Sequence, residues 1–117
     1  MITNDLENSN FVVSHDISIK EAMSIITTNH RGCVVVVDEH KHLVGVLSDG
    51  DIRRSLIKGV SMLSNIENTI NRNPIFLKND VPNLEEESDK IFSSRPGINL
   101  VPVVDNDNIL VSLITQN

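Results

Sequence analysis

The run Gly45–Arg54, GVLSDGDIRR, gathers more chemistry than any other stretch of this sequence. Ser48 and Asp51 stand three residues apart. A helix starting at Ser48 brings its hydroxyl, the next backbone N–H groups and the Asp51 carboxylate to one end. Free N–H groups and the positive end of a helix dipole favour an anion. A carboxylate beside them can accept hydrogen bonds from two neighbouring hydroxyls. The same Ser-x-x-Asp spacing is also a capping pattern, in which both side chains satisfy backbone N–H groups and bind nothing. The spacing leaves both readings open. Gly50 either lets backbone approach a ligand closely or merely relaxes the turn. Arg53 and Arg54 follow, placed either to reach an anion or to face solvent.

Two other candidates are weaker. His40-x-His42 beside Asp38 and Glu39 has donors of the right type for a metal, and alternate strand residues share a face. They fall on a turn, and no third convergent ligand is visible. Cys33 as a nucleophile needs a base and a depressed pKa, yet it opens a four-valine run that reads as buried. Nothing in the sequence supports catalysis.

An internal repeat positions the Ser48 motif. Residues 34–48, VVVVDEHKHLVGVLS, superpose on 101–115, VPVVDNDNILVSLIT, at an offset of 67. Val34, Val36, Val37, Asp38, Leu43 and Val44 recur as Val101, Val103, Val104, Asp105, Leu110 and Val111, and Ser48 falls on Thr115. Each copy is a β-branched run, a polar turn and a second apolar run, which predicts a β-hairpin. Ahead of each hairpin the spacing predicts a helix. From Ser18 to Asn29 the apolar residues follow a 3.6 period, with Ser18 and Glu21 as a capping box. From Pro82 to Ser94 the pattern is sparser, and Glu85, Glu86 and Glu87 suit the first turn. Short extended segments, Phe11–Val13 and Pro74–Leu77, precede these helices. After the first hairpin a helix from Asp49 to Lys58 ends at Gly59. Residues 61–72 are expected to link the halves as a short helix or turn. The chain thus divides into units 1–60 and 61–117 with the order β-α-β-β-α, the second stopping at Asn117 where its last helix would begin.

Composition narrows the classes further. Only three of 117 residues are aromatic, all Phe, so the core must be Val, Ile and Leu, and stacking platforms for single-stranded nucleic acid are missing. A formal charge of −6 argues against phosphate-backbone binding. No apolar run reaches the ~20 residues of a membrane span, and no signal pattern opens the chain. The expectation is a cytoplasmic protein that engages neither nucleic acid nor membrane.

With the repeat in place, GVLSDGDIRR resembles the CBS domain, a regulatory module named after cystathionine β-synthase. The resemblance covers residues 10–115 as a tandem pair and implies an α/β (α+β) fold with clefts for adenine nucleotides, AMP, ADP or ATP, as regulatory ligand, and association into a homodimer. The wording NHRGCVVVVDEHKHLVGVLSDGDIRRSLIKG is similar to the CBS pairs attached to bacterial sugar nucleotidyltransferases, and less so to those of sugar-phosphate isomerases. It implies an attached catalytic domain in a longer chain, this segment itself being non-catalytic. By position, Ser48 would serve the phosphate and Asp51 the ribose, with Arg54 able to reach a phosphate. Val12 and Val13 would cover the base, and backbone at Arg31, Gly32 and Cys33 would read its edge. Thr115 takes the hydroxyl position of a second cleft, which Ile75, Asn99, Leu100, Val101 and Pro102 would line. That cleft lacks its carboxylate, and Ser112 stands where the first unit has Gly45. A dimerisation module with empty clefts is the competing expectation.

Overall fold

The computed structural model describes residues 1–6 and 9–116; Glu7, Asn8 and Asn117 lie outside the described residues. Ten elements follow in order: β1 (Ile2–Thr3), β2 (Val12–Ser14), α1 (Ile19–Asn29), β3 (Cys33–Val37), β4 (Leu43–Ser48), α2 (Asp49–Ile57), β5 (Leu77–Lys78), α3 (Leu84–Ser94), β6 (Leu100–Val104) and β7 (Leu110–Thr115). They form a three-stranded sheet, β2-β3-β4, and a four-stranded sheet, β1-β7-β6-β5. In each, a short leading strand runs parallel to the first hairpin strand, and the hairpin itself is antiparallel. The mixed α+β architecture follows the sequence pattern closely.

The hairpin turns show why Asp38 recurs as Asp105. Asp38 Oδ1 accepts from the backbone N–H groups of His40 and His42, both at 2.9 Å. Asp105 Oδ1 does the same for Asp107 at 2.9 Å and Ile109 at 3.0 Å. Such side-chain turns are a common use of Asp. The turns also zip to each other across the units: Leu43 N–H donates to Asn108 O at 3.0 Å, and Leu110 N–H to Lys41 O at 2.9 Å.

Three apolar clusters result. Val34, Val36 and Leu47 pack under α1 and α2 through Ile19, Ala22, Ile26 and Ile52. Val101, Val103 and Ile114 pack against Phe92 of α3. The remaining faces, Val35 and Val37 with Leu100, Val104, Leu110 and Leu113, meet between the units. Consecutive valines face opposite ways along a strand, so both faces of β3 and β6 are buried. That is why their sequences are unbroken apolar runs.

Of the two alternatives for residues 61–72, helix or turn, the structure takes the turn: they cross the first unit as turns with antiparallel bridges Ser18↔Asn65 and Val46↔Asn71. Ile66 and Ile70 are nevertheless buried in the first core. These two apolar residues of the segment are placed by burial along the crossing. In addition, Ile2–Thr3 pairs with Ile114 and Leu113 of β7, so the beginning of the chain completes the second sheet. Two residues are too few for a periodic signal.

Candidate functional site

Ser48 ends β4 and caps α2, as the short polar side chain ahead of an acidic first turn requires. Its Oγ accepts from Asp51 N–H at 3.1 Å, and the Asp51 carboxylate accepts from Ser48 N–H at 3.0 Å and from the Ser48 hydroxyl at 2.9 Å. The other carboxylate oxygen accepts from Arg54 Nη2 at 2.6 Å. The capping reading is therefore realised in full, and both oxygens of Asp51 are engaged. The first helical N–H, that of Asp49, donates to Gly32 O at 2.9 Å. Gly32, at φ +74°, turns the chain so that this carbonyl meets α2.

These groups open on a cavity of about 310 Å³ between the units. That lies at the low end of the roughly 300–1,000 Å³ typical of small-molecule sites. Cys33, Val46, Ser48, Asp51 and Arg54 line it together with Asn71, Asn73, Pro74 and Ile75 and with Gly97–Leu100. The Asn71 wall is held by two backbone bonds to β4, Val46 N–H to Asn71 O at 3.0 Å and Asn71 N–H to Val46 O at 2.9 Å. Gly45 is what permits this crossing, since a Cβ there would stand 2.2 Å from Asn71 O. Gly50 has another role: it sits inside α2, where a Cβ would meet only the Arg54 guanidinium at 3.3 Å and Ser48 Oγ at 3.7 Å.

The other expected site residues scatter. Val13 is buried in the first core, and Val12 lines a separate cavity of about 430 Å³ with Leu6, Val37, Lys41 and Leu110. Neither lines the Ser48 cleft, because β2 pairs with β3 on the edge away from β4. Arg31 reaches across the units instead, its Nη1 donating to Gln116 O at 2.5 Å. Cys33 does line the cleft; burial pushes its thiol up to about 11, with the neighbouring Asp49 charge adding to the effect. A thiol raised in this way stays protonated near neutral pH, which disfavours it as a nucleophile. Thr115 is buried, its Oγ1 unpartnered among the described residues, and it faces a distinct cavity of about 420 Å³ with Glu85, Asp89 and Phe92.

The pairing of walls differs from expectation as well. Ile75, Asn99 and Leu100, expected beside Thr115, line the cavity of Ser48 and Asp51 instead. Val101 is buried in the second core. Asn71, Asn73, Pro74, Gly97 and Ile98 were missed as lining residues. The repeat offset held a clue, because it maps Asn99 and Leu100 onto Gly32 and Cys33. Cys33 and Leu100 accordingly line the same cleft.

His42 spends its Nδ1 on Asp38 at 3.1 Å. Among the described residues no three His, Cys, Asp or Glu side chains are grouped to hold a metal, and no helix is long and apolar enough to cross a membrane.

Two repeated α+β units, meeting through their sheets and sharing a polar-rimmed cleft, define a paired module. Residues 4–58 match the CBS domain model. The fold superposes with TM-score 0.68 on the CBS domain pair of protein MJ0100, solved with 5′-methylthioadenosine and S-adenosyl-L-methionine. That pair is 31% identical, over 92% of this chain and 85% of that one. The chain belongs to the CBS domain family. It is also 34% identical over 103 residues to an uncharacterized protein of Helicobacter pylori, covering 88% of this chain. Arabinose 5-phosphate isomerase KdsD of Pseudomonas aeruginosa is 40% identical over 45 residues, 38% of this chain and 14% of that enzyme. The chain spans 31% of the length of the Helicobacter protein, about a third.

Proposed function

We propose that this chain is a regulatory module that binds an adenine nucleotide in the Ser48/Asp51 cleft and modulates an attached sugar-phosphate nucleotidyltransferase. The observation that carries the reading is the cleft itself: a helix N-terminus with a hydroxyl and a carboxylate at its mouth, closed by backbone from the other unit. The adenosine compounds in the similar MJ0100 pair support the ligand class.

The chemistry is an exchange of partners. A ribose diol donates to Asp51 and takes the place of Arg54, whose guanidinium, on a side chain 67% exposed, turns to the phosphate. Ser48 Oγ and the α2 N-terminus receive the phosphate oxygens. The apolar side chains of Val46, Ile75 and Leu100 cover the base. Because the ligand touches both units, it favours the arrangement in which they close on it, and that differential affinity is the regulatory signal. Exposed Ile57, Val60, Met62 and Leu63 form an apolar patch that supports association into a homodimer.

Calorimetry and thermal melts with AMP, ADP and ATP test the reading. One strong site per chain is expected, with a raised Tm; a ligand at 100 times its Kd adds about 2.7 kcal/mol. Neither heat nor shift at millimolar concentration would leave a dimerisation module with empty clefts. The attached enzyme has a second reading, a sugar-phosphate isomerase, favoured by the identity to KdsD. Assaying the longer chain for nucleotidyl transfer and for sugar isomerisation separates the two.

A further inference from the structure

His15 follows β2, where its backbone N–H donates to Val37 O at 3.0 Å. Its ring lies between carboxylates from two different elements. Nδ1 meets Oε1 of Glu67, in the segment joining the units, and Nε2 lies 3.1 Å from Oε2 of Glu39, in the β3–β4 turn. A neutral imidazole offers one N–H and one lone pair; only the imidazolium offers two donors. Both contacts are therefore satisfied together only in the protonated ring. Asp16 is the further charged neighbour, itself hydrogen-bonded by Ser14 at 2.6 Å. From Glu67 the chain of contacts continues outward: Arg72 Nη2 donates to its Oε2 at 2.7 Å and to its carbonyl at 2.8 Å. Arg72 stands between Asn71 and Asn73, both of which line the cleft.

We propose that His15, Glu39, Glu67 and Arg72 form a proton-operated clasp, in which the imidazolium ties the inter-unit segment to the first hairpin and so fixes the Asn71 wall of the cleft. The effect on ligand rests on the reading of the cleft given above; the clasp does not.

The charges set its working range. The Glu67 hydrogen bond, followed by that of Glu39, raises the His15 pKa above its ordinary 6.5. The bond to His15 lowers that of Glu67, and a bond to its own backbone N–H, followed by His15, lowers that of Glu39, both from 4.5. A raised histidine contributes fully below its unfolded value and loses the contribution as pH climbs through the folded one. Lowered carboxylates contribute above their unfolded value and lose it as pH falls through the folded one. The clasp is closed between these limits and opens on the alkaline side.

NMR titration of the ligand-free chain tests the clasp directly. The His15 ring protons are expected to titrate with a midpoint above 6.5, and the Asn71 and Asn73 amides to shift with that same midpoint. Glu67→Gln should lower the midpoint, and His15→Gln should abolish the amide shifts while keeping the fold. A His15 midpoint at or below the ordinary value, or amides that ignore it, overturns the proposal. For the cleft the probe is 5′-methylthioadenosine, since a nucleotide phosphate itself titrates near pH ~6. Its affinity should weaken about two- to fivefold from pH ~6 to ~8.5, the scale of an exposed ion pair, and stay flat in His15→Gln. Equal affinity at both pH values overturns the coupling to the cleft. If no adenosine compound binds while the amides still follow His15, the cleft reading falls and the clasp stands.

Discussion

Asp51 spends one carboxylate oxygen on the cap of its own helix and the other on Arg54, so a ligand must compete with an internal partner rather than fill a vacancy. This separates two roles that a single substitution removes together. Asp51→Ala deletes the cap interaction, which should cost about 0.5–2 kcal/mol of stability. It also deletes the charge-assisted bonds to a ribose, worth on the order of 1.5–3 kcal/mol, so AMP affinity should fall roughly tenfold or more. Thermal melts and calorimetry on the same variant separate the two. A stability loss with unchanged affinity would reduce Asp51 to a cap. The Ser-x-x-Asp pattern was legible in the sequence because capping is a local interaction within four residues. Arg54 was legible only as a neighbour; its contact with Asp51 depends on side-chain direction along α2.

At the scale of elements, the strand β4 and the segment 61–72 are coupled by one absent side chain. Gly45 lies beneath the crossing backbone, with room for no Cβ next to Asn71 O. Gly45→Ala should cost about 1–3 kcal/mol as the segment is forced outward, and it should weaken ligand binding because Asn71 and Asn73 line the cleft. Gly50→Ala is the control. Its Cβ meets the flexible end of Arg54 and, at ordinary contact distance, Ser48 Oγ, and replacing a helical glycine should gain about 0.4–1 kcal/mol. Opposite signs in chemical denaturation are the expected outcome; equal losses would show that Gly45 answers only for local backbone freedom. The repeated hairpins, with their Asp38 and Asp105 turns, were readable because β-branched runs and Asx turns act locally. The crossing of 61–72 was not, because its apolar residues are spaced by a core that only the folded unit supplies.

For the whole molecule, α2 and the turn after it leave Ile57 and Leu63 each 78% exposed, and Val60 and Met62, between them in sequence, are exposed as well. An apolar patch of this kind calls for a partner, and a homodimer through it is expected. Light scattering at high micromolar concentration should return twice the mass of 13.0 kDa, and Leu63→Asp should shift it toward the monomer. A monomeric wild-type mass would count against the dimer and leave the patch for the rest of a longer chain.

The sequence by itself determined the two hairpins, the helices ahead of them, the cap at Ser48 and the valine-built core, since each depends on periodicity or on contacts a few residues apart. It also carried a resemblance to the CBS family, through the GVLSDGDIRR run taken together with the repeat. Only the tertiary structure decided which walls face each other. Val12 and Val13 went to one side of β3 and the cleft to the other, because an edge strand can pair on either flank of a hairpin and the sequence of three residues does not choose. Asn71, Asn73, Pro74 and Ile75 came to line the cleft of Asp51 because that segment crosses β4 at Gly45, a contact between residues 26 apart. Long-range pairings of this kind are set by the packing of the two sheets on each other, and no local pattern records them.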